Sequence, residues 1–212
     1  MTTYTLATGT SALTPAKVEL VQTHNNRMFT SAMSGWRQTL SLPGARWGMV
    51  WTYPQQPRSA RQAVEAWLTA LSGMEHRASL YDPARPEPAL LGQSNCIALT
   101  GVLCGAASQF ATSLSLTNCG DTKTLTAGDW IAVTTQAGSQ LLMVVANATS
   151  NSGGAMTVTV RHPLRAAVTG GAAVVTSSAR GLFVLSSPEF AMPREAADVC
   201  PEFTVSFTEV FA

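Results

Sequence analysis

Charge is what this sequence has least of. Only 12% of its 212 residues are Asp, Glu, Lys or Arg, about half the usual share of a soluble domain. The net charge is +1 and no run of Lys or Arg occurs. That excludes a dedicated nucleic-acid or anionic-membrane surface, which needs clustered positive charge. The four cysteines, Cys96, Cys104, Cys119 and Cys200, include no C-x-x-C pair, and His24, His76 and His162 are scattered. Metal-ligand spacing is therefore missing, and buried free thiols without metal or cofactor are the expectation. Long apolar runs are missing too: LLMVVA and GGAAVV are far too short to span a bilayer. The amino terminus, MTTYTLATGTSALTP, has neither the basic start nor the apolar core of a signal peptide. A soluble chain folded in the cytoplasm, without membrane insertion, is expected.

Catalytic signatures are absent as well. No G-x-S-x-G, H-E-x-x-H, P-loop or G-x-G-x-x-G occurs, so the reading is of a protein that is not an enzyme. Asp82, Asp121, Asp129 and Asp198 stand in turn-like or connector sequence, and Asp129 beside Gly128 reads as a turn residue. Glu65 and Glu75 read as solvated charges and His162 as a surface-loop histidine. Arg161 and Arg165 near one sheet edge fit a rim ion pair or a contact to an acidic group. With so few charges, Ser, Thr, Asn, Gln and Gly must cover the surface. Two compatible explanations are strands rich in Thr and Ser, or a subunit whose surface is buried in an assembly, since interface cores are depleted in charge.

What is present is strand signal. From Leu125 to Arg165 three runs rich in Val, Ile, Thr and Met are separated by Gly/Ser/Asn clusters. In the third, Met156, Val158 and Val160 alternate with Thr157, Thr159 and Arg161. Such runs predict consecutive antiparallel strands with one buried face, and Pro163 should end the third. ATSLSL and CIALTGVLC upstream, and Ala172–Thr176 and Gly181–Leu185 downstream, add strands that fit a compact barrel.

Nearer the amino terminus, Lys17–His24 predicts a strand with Arg27–Met33 returning as its partner. Trp36, Gln38, Leu40 and Leu42 alternate, Pro43-Gly44 suits a turn, and Trp47, Met49, Trp51 and Tyr53 alternate after it. This predicts a hairpin with an aromatic face, either core or a sugar-stacking platform. A helix follows Pro57, with Ser59 and Gln62 in the form of a capping box and Ala60, Ala63, Val64, Trp67, Leu68 and Leu71 on one face. Gly73 is its expected C′ residue. Arg77–Asp82 predicts a strand, and ARPEPALLGQ a connector. In the last run Phe203, Val205 and Phe207 alternate with Thr204, Ser206 and Thr208, predicting a strand that returns to complete the first sheet.

The AGDW, L-x-M-V and T-V-T-V strands followed by P-L-R resemble the second domain of distal tail proteins of long-tailed siphophages. The hairpin, helix, strand and Y-D-P order resembles their ring-forming first domain. The resemblance implies a mainly β protein with one helix: a β-sandwich-like ring domain at 1–90, completed by 187–212, and an inserted OB-like β-barrel at 91–186. It also implies a cyclic, hexameric ring in the virion at the tail tip, assembled in the bacterial host cytoplasm. Its partners would be further copies of itself, the tail tube protein and the tail-tip hub and fibre proteins, with DNA passing through the lumen. Phe203, Val205 and Phe207 form the candidate assembly strand. The competing reading is a carbohydrate-binding module contacting host-surface glycans through Trp47 and Trp51.

Overall fold

The computed structural model describes residues 2–5, 14–194 and 199–211. Its chain order begins β1 (Thr3–Thr5), β2 (Lys17–Thr23), β3 (Asn26–Thr30), β4 (Arg37–Ser41), β5 (Arg46–Tyr53), β6 (Gln56–Pro57), α1 (Arg58–Ala70) and β7 (Arg77–Leu80). It continues with β8 (Leu103–Cys104), β9 (Ser113–Thr117), β10 (Thr124–Leu125), β11 (Trp130–Thr135), β12 (Gly138–Val144) and β13 (Ala148–Thr149). Last come β14 (Met156–Arg161), β15 (Ala172–Val175), β16 (Gly181–Leu185), β17 (Val199–Cys200) and β18 (Phe203–Glu209). The protein is thus mainly β with a single helix among the described residues, consistent with a β-sandwich-like fold.

Six strands form one sheet in the order β1-β7-β16-β18-β5-β2. One face of it is apolar because its strands alternate in step: Trp47, Met49, Trp51 and Tyr53 of β5 share that face with Phe203, Val205 and Phe207 of β18. Helix α1 covers it with Val64, Leu68 and Leu71. The returning strand β18 is paired on both edges, to β16 and β5, so it completes the sheet as its sequence predicts.

A second set of strands closes into a ring in the order β11-β12-β14-β9-β8-β15. Its interior is filled by Ile131, Val133, Leu142, Val158, Val160 and their neighbours. The alternation read at 156–161 is kept, with Met156, Val158 and Val160 buried and Thr157, Thr159 and Arg161 exposed. Strand β11 is buried on both faces: Ile131 and Val133 point into the ring's core, while Trp130 and Ala132 join the core of the six-stranded sheet. All ring strands fall between β7 and β16 in the chain. CIALTGVLC contributes less strand than expected, only Leu103–Cys104.

Four expectations are corrected. Gly181–Leu185 is not a ring strand; it pairs with β7 and β18 in the large sheet. Lys17–His24 does not take Arg27–Met33 as its partner, and the run from Trp36 to Leu42 does not pair with β5. Instead residues 17–53 make one long hairpin, β2 against β5 at its base and β3 against β4 beyond it. Pro43-Gly44 is a two-residue excess on one side of this hairpin, between the Thr23–Arg46 pair and the Asn26–Ser41 pair. The left-handed Gly44 (φ 123°) and a bond from Asn25 Nδ2 to the Pro43 carbonyl at 2.9 Å hold that bulge. The capping box does not form. Helix α1 starts at Arg58, and its N-cap Pro57 has no side chain that can accept. Pro57 is held in a short ladder with Val199, which leaves Ser59 inside the first turn. At the other end Ser72, at φ 49°, precedes Gly73 in the left-handed region.

Candidate functional site

The distal half of the long hairpin is an arm. Every residue from 19 to 41 is exposed, and residues 26–41 belong to neither core cluster. The arm turns through Ser31 and Trp36, where the Ser31 N–H donates to the Trp36 carbonyl at 2.8 Å, with Gly35 at φ 67°. Cross-strand partners share a face. Phe29 pairs with Gln38, so Phe29 lies on the face that carries Trp36 and Leu40. Trp36 is 80% exposed and Met33 fully so, with Phe29, Met28 and Leu40 also well exposed. Residues 26–41 include Arg27 and Arg37 and no acid. A two-stranded hairpin without a covered face is marginal in water, and a contiguous exposed apolar patch marks an interaction surface.

The residues singled out from the sequence lie elsewhere. Trp47 and Trp51 are 2% and 0% exposed, so neither can stack on a glycan. Trp47 packs edge-on against Trp130 at 5.0 Å, and Trp51 against Phe207 at 5.5 Å. Phe203, Val205 and Phe207 are interior as well, and β18 pairs with β5 along Phe203–Thr208 and with β16 along Phe207–Glu209. They are core. The sequence placed Trp36, Gln38 and Leu40 on one face correctly, but the same period marks a covered face and a bare one.

Three buried ionisable groups were not anticipated. His162, expected on a surface loop, is 3% exposed and adopts φ 67°. It packs on Trp47 at 4.3 Å. Burial foremost, then the nearby His24, Arg165 and Arg161, lowers its pKa to about 4. Glu209, at the end of β18, is pushed up to about 7 by burial, against backbone bonds from Trp47 and Leu141 and the Arg165 and Arg46 charges. Arg61 is likewise buried on α1, its guanidinium 3.5 Å from the centre of the Phe203 ring and its Nη1 donating to the Pro201 carbonyl at 3.1 Å.

Asp129 is the turn residue expected, accepting from Thr126 N–H and Oγ1 and from Ala89 N–H. Asp82 accepts from the Trp130 indole at 3.2 Å. The four cysteines are free. Among the described residues no group of three or more His, Cys, Asp or Glu side chains is placed to hold a metal, and no helix is long and apolar enough to cross a membrane. No protein-family model matches the chain, and no curated protein matches it.

Proposed function

We propose that this protein is a non-catalytic virion subunit that forms a closed ring at the distal end of a phage tail, using its arm to grip the next copy. The observation that carries the reading is the bare apolar face of Phe29, Trp36 and Leu40 on a hairpin with no core of its own. Tryptophan at the centre of such a patch is a frequent hot spot. An arm that docks on a different surface of its neighbour makes a head-to-tail contact, which closes into a ring when the rotation permits. The surface we assign to receive it lies on the same chain. Exposed Met74 and Glu75 follow α1, beside the loop with exposed Glu189; a Cβ on Gly73 would lie 3.0 Å from the Pro188 carbonyl oxygen. Its methionine and carboxylates complement the aromatic residues and arginines of the arm.

In this reading the six-stranded sheet is the ring domain, and the closed set of strands is an inserted OB-like barrel facing outward as a platform for fibres. The sequence resemblance to distal tail proteins supplies the remaining parts: six copies, the tail tube on one side, the tip hub and fibres on the other, and DNA in the lumen. The test is electron microscopy of particles carrying a tagged copy, compared with a Phe29→Asp, Trp36→Asp double variant. Tag at the tail tip, lost in a variant that stays folded, is the expected result. Tag in the capsid, or missing from purified particles, overturns the reading.

A further inference from the structure

A cavity of about 450 Å³ opens where the base of the arm meets the ring of strands. Leu42 and Pro43 wall one side; Phe110, Thr159, Arg161 and His162 wall the other. Two of these ring residues, Phe110 and His162, are both at φ 67°. Histidine visits the left-handed region readily, but a bulky phenylalanine there is strained, and such strain gathers where a ligand is held. Phe110 is fixed there by its N–H donating to the Leu164 carbonyl at 2.8 Å, and its ring stays half exposed at the cavity.

The polar groups point to an anion. Gln22 Nε2 lies 3.0 Å from His162 Nε2. The amide and the ring nitrogen share one hydrogen bond, whose direction the imidazole tautomer sets. His162 Nδ1 has no exposed surface, so His162 walls the cavity without donating into it. Arg161 and His24 line the same cavity and none of its lining residues is acidic. Ser41, Thr112 and Thr159 add hydroxyls.

The backbone here is already used. The Thr159 carbonyl accepts from Val145, and Val160 and Leu164 donate to the Thr112 and Ala111 carbonyls. A peptide adding as a strand would find no open ladder. What is offered is an aromatic face, hydroxyls and a cationic corner. We propose that this cavity binds an acidic sugar, its pyranose face on Phe110 and its carboxylate at Arg161. The site is independent of ring assembly through the arm, and it uses neither Trp47 nor Trp51.

Calorimetric titration of the full chain with methyl glucuronide tests this, with methyl glucoside as the neutral control and a short acidic peptide as the competitor class. Glucuronide should saturate one site, and glucoside should bind at least about tenfold more weakly, as expected for loss of a charge-assisted bond. Arg161→Gln, on an exposed side chain, should cost a similar factor. Phe110→Gly removes both the ring and the φ strain. It should weaken binding while the melting temperature holds or rises; a merely structural phenylalanine would lower both. No saturation by glucuronide, equal affinity for glucoside, an unaffected Arg161→Gln, or binding of the peptide in place of the sugar each overturns the assignment.

Discussion

The backbone N–H of Trp47 donates to the Glu209 carboxylate across 3.0 Å, joining the start of one central strand to the end of its neighbour. The same tryptophan touches Trp130 of the ring and His162. The seam between sheet and ring therefore contains a carboxyl group and an imidazole that are both shifted toward neutrality.

Their titrations should oppose each other. Glu209 holds its proton up to about pH 7 when folded and releases it near pH 4.5 when unfolded, so its contribution falls as pH rises between those values. His162 is neutral down to about pH 4 when folded but protonates near pH 6.5 when unfolded, so its contribution grows as pH rises through that window. Each slope is at most about 1.4 kcal/mol per pH unit. Between about pH 4.5 and 6.5 the two nearly cancel. Urea unfolding of Glu209→Gln should then show stability climbing with pH, and His162→Asn should show it falling. Matching profiles for all three proteins would rule this account out.

The helix supplies a second pair. Leu68 is fully buried against the sheet, so Leu68→Ala is expected to lose about 2–5 kcal/mol. Ser59 makes no capping bond, and Ser59→Ala should change stability by less than about 0.5 kcal/mol. A loss near 1 kcal/mol at Ser59, the usual worth of an N-cap, would restore the capping box.

Arg61 separates charge from volume. Its stem and guanidinium fill a site against Phe203, but Nε and Nη2 lack hydrogen-bond partners. Arg61→Ala should cost about 3–5 kcal/mol, as truncations that break buried charged contacts do. Arg61→Met keeps most of the volume and should recover most of that loss. Equal losses in thermal melts would show that the Pro201 bond matters more than packing.

Removing the arm should leave the fold. Leu42 N–H donates to the Asn25 carbonyl at 2.9 Å, so an Asn-Gly turn can join Asn25 to Leu42. The shortened protein should unfold within about 1 kcal/mol of the parent, because exposed strands carry little burial energy. Collapse of the near-ultraviolet spectrum would mean the arm is structural.

Faces were legible in the sequence and partners were not. The period-two patterns at 156–161 and 203–209 placed each side chain on the correct face because both strands are covered on one side only. The same pattern at Trp36–Leu42 looked identical, yet that strand is bare on both faces. Pro43-Gly44 between two alternating runs suggested a turn; only the register of a hairpin spanning 17–53 makes it a bulge. His162 and Arg61 were missed because burial of a charged residue depends on what the rest of the chain brings to it. At Arg61 there was a faint signal: it stands three residues before Val64, on the helix's covered face.

The arm also has a genetic consequence. Since 26–41 join neither core, a library selected for soluble, folded protein should accept Ser or Asp at Phe29, Trp36 and Leu40 as freely as at any loop. Whatever restriction survives at these positions when the library is instead selected for biological activity is imposed by another molecule. The difference between the two selections is a binding footprint, read codon by codon.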